Sequence, residues 1–108
     1  MHGYGEFLWK DGKKYAGFYE RDKKEGFGIY YWTIPDKRVY IGFWKNGKQE
    51  GVGKYINQKS ARYGYWLRGE RTKWFDSDQE ALDSIPKNLQ KYKVLMTSEL
   101  SEIGQLLS

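Results

Sequence analysis

The sequence predicts a mainly β protein, an array of antiparallel β-hairpins followed by short C-terminal α-helices. Three observations carry that expectation. Gly3-Tyr4-Gly5, Gly26-Phe27-Gly28 and Gly51-Val52-Gly53 are one motif written three times, 23 and 25 residues apart. In phase with it, Tyr15-Ala16-Gly17-Phe18-Tyr19 returns as Tyr40-Ile41-Gly42-Phe43-Trp44. After residue 75, glycine disappears until Gly104 and helix formers take over. A unit of this length cannot bury a core alone, so the units must stack, and the stack is what functions.

Each unit reads as two strands and a turn. In the first, Glu6–Lys10 leads through Asp11-Gly12 to Lys13–Tyr19. Asp-Gly between two aromatic, β-prone runs is the signature of a type I′ hairpin, which needs positive φ at both central residues. In the second, Ile29–Trp32 and Arg38–Trp44 flank a longer turn that holds Pro35, where a missing N–H costs no ladder bond. In the third, Lys54–Ile56 and Arg62–Trp66 flank Asn57–Ala61. Asp22-Lys23, Asn46-Gly47 and Arg68-Gly69 mark the connections between units, with residue types that tolerate a left-handed backbone.

Strand parity adds packing. Tyr15, Gly17 and Tyr19 share one face, as do Tyr40, Gly42 and Trp44. A glycine between two large rings leaves a notch, which a ring from the neighbouring hairpin is expected to fill. Gly17, Gly26, Gly28, Gly42, Gly51, Gly53 and Gly64 are therefore the structural glycines of the repeat. The opposite parity, with Phe18, Val39, Ile41 and Phe43, is also apolar, so these strands are covered on both faces or curve strongly. The third unit decays: Arg62 stands at the Tyr15/Tyr40 position, and Lys73-Trp74-Phe75 replaces the closing glycine pair. A degenerate last unit suits a cap. His2–Gly5 resembles the end of an earlier unit, so the chain is expected to be the C-terminal piece of a longer array, the alternative being a short three-hairpin protein with an atypical first unit.

Residues 1–75 form the repeat region and residues 76–108 a helical segment. There Ser77-Asp78-Gln79-Glu80 is a capping-box pattern, with Ala81, Leu82 and Ile85 on one face. Pro86 ends that helix or begins the next. Leu89, Tyr92, Leu95 and Met96, then Leu100, Ile103, Leu106 and Leu107, recur at helical spacing. These stripes need a cover. Three placements are open: closing the end of the array over Trp74 and Phe75, lying in an aromatic groove of the same or another molecule (a homodimer through residues 76–108), or linking to a further domain.

Aromatic residues make up 19% of the chain, so the core must be mostly rings. Residues 1–75 carry 16 Lys and Arg against 8 Asp and Glu, whereas residues 76–108 carry 3 against 6. That asymmetry suggests an anionic partner or attraction between the two parts. Lys13, Lys14, Lys37, Arg38, Lys45, Lys48, Arg68 and Arg71 fall in successive loops, where repeat phase is expected to align them in a stripe. The stripe serves solubility or meets an anionic surface, either phospholipid head groups or an acidic protein, and single-stranded nucleic acid ranks last because the rings hold structural positions.

No enzyme is expected. His2 is the only histidine and there is no cysteine, which excludes His/Cys metal sites. No nucleophile elbow is present, and Asp76, Asp78 and Glu80 suit a helix start. The Gly-x-Gly pairs lack the Lys-Ser/Thr and following helix of a phosphate loop. No cofactor and no metal is implied. Cysteine absence fits a reducing compartment.

Together, Tyr15/Gly17/Tyr19, Gly26/Gly28, Tyr40/Gly42/Trp44, Gly51/Gly53 and Gly64/Trp66 resemble the MORN (membrane occupation and recognition nexus) repeat over residues 2–75. The resemblance implies an elongated single-layer run of hairpins with an aromatic groove, and a non-catalytic scaffolding role. That role belongs in the cytoplasm at a cortical, ciliary or membrane-associated structure, or beside an enzyme as an accessory module. On that basis Tyr15, Tyr19, Tyr40, Trp44 and Trp66 are expected to line a groove for an amphipathic partner helix. Anionic lipid on the basic loops is the alternative.

Overall fold

The computed structural model describes residues 2–33 and 36–98. Seven strands form one open antiparallel sheet in sequence order: β1 (Gly3–Leu8), β2 (Lys14–Glu20), β3 (Lys23–Trp32), β4 (Arg38–Lys45), β5 (Lys48–Ile56), β6 (Ala61–Leu67) and β7 (Glu70–Trp74). Helix α1 (Asp78–Asp83), a 3-10 helix (Lys87–Tyr92) and α2 (Lys93–Thr97) follow. Ser77 caps α1 through its hydroxyl, which accepts from the Glu80 N–H at 3.2 Å, as the capping-box pattern predicts. Pro86 opens the 3-10 helix. The Leu100–Leu107 stripe and Pro35 lie outside the described residues. At this strand number the sheet is about as wide as its strands are long, and the molecule measures 36 × 31 × 27 Å.

The turns sort by end. Arg21-Asp22, Asn46-Gly47 and Arg68-Gly69 all have positive φ at both positions, so they are the type I′ turns of the sheet, each between an even strand and the next odd one. The first connection is thus Arg21-Asp22, not Asp22-Lys23. The Asp11-Gly12 turn is not type I′. There only Gly12 is left-handed (φ 95°), with the Gly12 N–H on the Trp9 carbonyl and the Trp9 N–H on the Lys13 carbonyl. Such a loop is a four-residue turn closed by one left-handed glycine, a common longer hairpin.

The two glycines of each Gly-x-Gly serve different ends. Gly26 and Gly51 take φ near +85° beside register shifts, where Gly17↔Gly28 is followed by Tyr19↔Lys24 and Gly42↔Gly53 by Trp44↔Gln49. Two extra residues on β3 and β5 make bulges that increase the local twist. The second glycines join a straight row across six strands, Gly5–Gly17–Gly28–Gly42–Gly53–Gly64.

That row is filled by rings of its own strands. Tyr15 lies along β2 over Gly17 and Gly28, and its hydroxyl donates to the Phe18 carbonyl at 3.0 Å. Tyr40 repeats the arrangement over Gly42 and Gly53, donating to the Phe43 carbonyl at 3.0 Å. At Gly17 and Gly42 the ring comes from the glycine's own strand, which corrects the expectation of a ring from the neighbouring hairpin, whereas at Gly28 and Gly53 it does come from the preceding hairpin. Side chains in a strand lean along it, so a tyrosine two residues before a glycine reaches that glycine first. Neighbouring strands supply the second contact: the Trp44 indole N–H reaches the Gly28 carbonyl at 3.3 Å.

The sheet has two unlike faces. One is aromatic, with Tyr15, Tyr40, Trp44 and Trp66 buried among Trp9, Tyr19, Tyr30, Trp32, Tyr55 and Trp74. The other carries Phe27, Ile29, Ile41, Phe43 and Val52, and the helical segment lies on it. Tyr92 stacks on Phe27 (centroids 4.7 Å, 7° between planes) and meets Phe43 edge-on. Lys54 Nζ and the Tyr63 hydroxyl both donate to the Met96 carbonyl, at 3.1 and 3.4 Å. The tail therefore covers a face, not the end of the array. Phe75 is buried under it, while Trp74 turns to the aromatic side and stays half-buried.

Burial holds the tyrosine hydroxyls neutral. Desolvation raises Tyr15 and Tyr40 far above the ordinary phenol value, and pushes Tyr63 up to about 12. A folded pKa above the unfolded one stabilises the fold at every pH below the unfolded value and is lost as pH climbs toward the folded value. Stability should thus be flat up to about pH 10 and fall steeply between about 10 and 12. A near-ultraviolet tyrosinate titration should find several phenols that ionise only with unfolding. Smooth, reversible ionisation of all ten tyrosines near pH 10 in the folded chain would contradict it.

Candidate interaction surface on the aromatic face

The five rings expected to line a groove fall into two groups. Tyr15 and Tyr40 are 0% exposed, Trp44 6% and Trp66 5%, so they form the floor of the face rather than its surface. They meet edge-to-face along the array: Tyr15–Trp44 at 5.6 Å, Trp44–Tyr40 at 5.2 Å and Tyr40–Trp66 at 5.0 Å. Such offset pairs are favourable beyond their buried area, and here they link one unit to the next. Tyr19 is half-buried. The more accessible rings are Trp9, Tyr30, Trp32, Tyr55 and Trp74, all half-buried on the same face.

A shallow groove of about 370 Å³ crosses the C-terminal half of this face. Trp66 is its floor, Trp32, Tyr55 and Trp74 its walls, and Arg38, Gln49 and Arg71 its polar margin. It spans the register from Arg38 to Trp44, the partner of Gln49, roughly 20 Å at about 3.3 Å per residue. The bulge glycines bend the strands on the turn side of it.

Lys24, which sequence reasoning missed, occupies the other half of the face. Its ammonium sits 5.5 to 5.7 Å from the centroids of four rings, Trp9, Tyr15, Tyr30 and Trp44. Desolvation pulls Lys24 below the ordinary lysine value, while four negative ring faces favour the ammonium and offset that cost. The rings come from one loop and three strands, so no local sequence window announces the cage. The only signal is that Lys24 pairs with Tyr19 and shares its face.

The basic residues do not form one stripe. Lys13, Lys14, Lys37 and Arg38 lie at the loop end of the sheet, and Lys45, Lys48 and Arg68 at the turn end, because successive connections alternate between ends. Arg71 lies inward, over Trp74 at 4.3 Å. Acids accompany most of them: Lys13–Asp11 at 3.2 Å, Lys14–Glu6 at 3.1 Å and Arg38–Asp36 at 3.2 Å. At the turn end, Glu25 and Glu50 accept from the Asn46 and Arg68 backbone N–H groups and sit among the lysines. His2 likewise serves a turn, its Nδ1 accepting from the Arg21 N–H at 3.3 Å.

Among the described residues no three His, Cys, Asp or Glu gather as a metal site, and no helix is long and apolar enough to cross a membrane. The family model for the MORN repeat matches residues 1–14, 15–34 and 40–59, half of the chain. The chain belongs to the MORN repeat family. No curated protein matches it. The matched segments end before β6, so the Arg62–Trp66 strand and the helical segment lie beyond them, as does the part of the groove around Trp66, Arg71 and Trp74. MORN repeats are generally non-catalytic modules for protein and lipid interaction.

Proposed function

We propose that this MORN array is a scaffolding module that captures an apolar helix of a partner protein on its aromatic face. The observation supporting this reading is the asymmetry of the two faces. The chain's own helices cover the aliphatic face, whereas the groove over Trp66 keeps Trp32, Tyr55 and Trp74 half-exposed. Rigid, amphipathic indole and phenol rings on a preformed floor give contact area at low entropic cost, which is why they dominate interface energetics. A groove of roughly 20 Å accommodates on the order of 13 helical residues at about 1.5 Å each.

Peptide display against the whole chain tests it. Amphipathic helices should be enriched, and their binding should fall at least about tenfold in Trp32→Ala with Trp74→Ala, a loss of about 1.4 kcal/mol or more. Both side chains are half-exposed, so the variant should stay folded, with a far-ultraviolet spectrum near the parent's and a lowered denaturation midpoint. No enrichment, or enrichment indifferent to both tryptophans, rejects the reading. Binding of anionic vesicles that is lost on neutralising Lys37, Arg38, Lys45 and Lys48 would favour a lipid surface instead.

A further inference from the structure

The groove carries a charge pattern that the repeat itself does not explain. In the first two units the position two residues before the row glycine is Tyr15 or Tyr40, buried and hydrogen-bonded. In the third it is Arg62, whose guanidinium lies over Trp74 at 5.1 Å. Arg71 lies over the same indole at 4.3 Å. Arg38 lies over Trp32 at 5.1 Å, with Nη1 3.4 Å from the Tyr55 hydroxyl. Its Nε is buried without a hydrogen bond, and lies 3.2 Å from Asp36 Oδ1.

Two guanidiniums, Arg38 and Arg71, thus line the groove with no carboxylate beside them in its lining, and Arg62 lies over its wall Trp74. Among the described residues Arg62 and Arg71 have no ion-pair partner. Stacking on an indole holds a guanidinium flat and orients its donor fork outward, which reduces what binding a carboxylate costs in lost freedom. Arg62 and Arg71 share one indole, that of Trp74, where the third unit departs from the repeat.

We infer that the groove selects an acidic partner segment: an apolar helix whose Asp or Glu side chains pair with Arg38 beside Trp32 and with Arg62 and Arg71 around Trp74. The inference rests on the helix-capture reading and specifies its partner. Charge complementarity decides the occupant. Bidentate arginine–carboxylate pairing gives orientation as well as affinity, and arginines beside Trp32 and around Trp74 over an apolar floor match acids flanking an apolar stretch. Single-stranded nucleic acid is disfavoured, because bases need open ring faces and the arginines already lie over Trp32 and Trp74. A flat membrane is disfavoured, because these arginines lie on the face rather than in the projecting loops.

The same display selection reads this out separately. Enriched helices should carry Asp or Glu flanking the apolar positions. A synthetic copy should bind at least about tenfold more weakly to Arg38→Gln with Arg71→Gln, and more weakly to the parent as salt rises. Arg62→Gln, on an exposed side chain, gives a second variant with little risk to the fold and should weaken the same peptide. Enriched helices that are neutral or basic, or that ignore all three substitutions, overturn the acidic specificity while leaving helix capture standing. A single-stranded oligonucleotide that binds the groove where no peptide does overturns both.

Discussion

Gly53→Ala is expected to destabilise the fold by roughly 1–3 kcal/mol or more, although it adds one methyl group to a strand. A Cβ at Gly53 would stand 2.7 Å from both Cζ and the hydroxyl of Tyr40, and Tyr40 has nowhere to go. It is fully buried, bonded to the Phe43 carbonyl and wedged between Trp44 and Trp66. Gly28→Ala meets Tyr15 in the same way. Tyr40→Ala should cost about 3–5 kcal/mol, the usual range for deleting a buried ring. It should report on stability rather than on binding. Combining the two should cost less than the sum, since the new methyl group then occupies space the ring has left. Urea denaturation of both single variants and the double variant gives that coupling. Strict additivity would show that ring and glycine are not in contact. Gly64→Ala is the milder comparison, because its Cβ would sit no closer than 3.0 Å to Trp66 Cζ3 and to the Lys73 carbonyl, contacts that a shift of a few tenths of an ångström relieves.

This ring-and-glycine lock explains what was legible in the sequence and what was not. Tyr-x-Gly and Gly-x-Gly in common phase prescribe the strands, their order and the row of glycines, because all of that follows from local spacing and period-two alternation. Which ring fills which notch depends on side-chain direction, and one tyrosine covers both the glycine of its own strand and that of the next. The burial of Tyr15, Tyr40, Trp44 and Trp66 follows from the same lock: residues that repeat because they hold units together are not free to meet a partner. The accessible rings, Trp32, Tyr55 and Trp74, come from odd strands that parity placed on this face without saying how much of them remains exposed. Lys24 and the three arginines were harder still, since their neighbours lie on other strands or in a loop. Arg62 alone had a local signal, as an arginine in a tyrosine's place. The tail's helices and cap were legible from the Ser77–Glu80 pattern, but the face they cover is a long-range choice.

Removing residues 76–108 should cost the chain its monomeric fold. The described helices cover Phe27, Ile29, Ile41, Phe43 and Val52, all of which are buried. Each such side chain returned to water forfeits roughly 1.5–3 kcal/mol of transfer free energy when fully buried, against a net domain stability of only about 5–15 kcal/mol. A single substitution samples the same contact: Tyr92→Ala removes the ring stacked on Phe27 and should lower stability by a few kcal/mol at most, since Tyr92 is half-buried. Light scattering and denaturation of the full and shortened chains decide the matter. A monomeric full chain and an aggregating or unfolded shortened one are the expected pair. A dimeric full chain that becomes a stable monomer on truncation would mean that the tail serves a second copy. If the tail is an intramolecular cover, the aliphatic face is closed to partners, and binding must be sought on the aromatic side. There the sheet's most buried tyrosines support its most exposed tryptophans, so the residues that set stability and those that set recognition are neighbours but distinct. Variants at Tyr40 and at Trp74 should therefore separate the two properties.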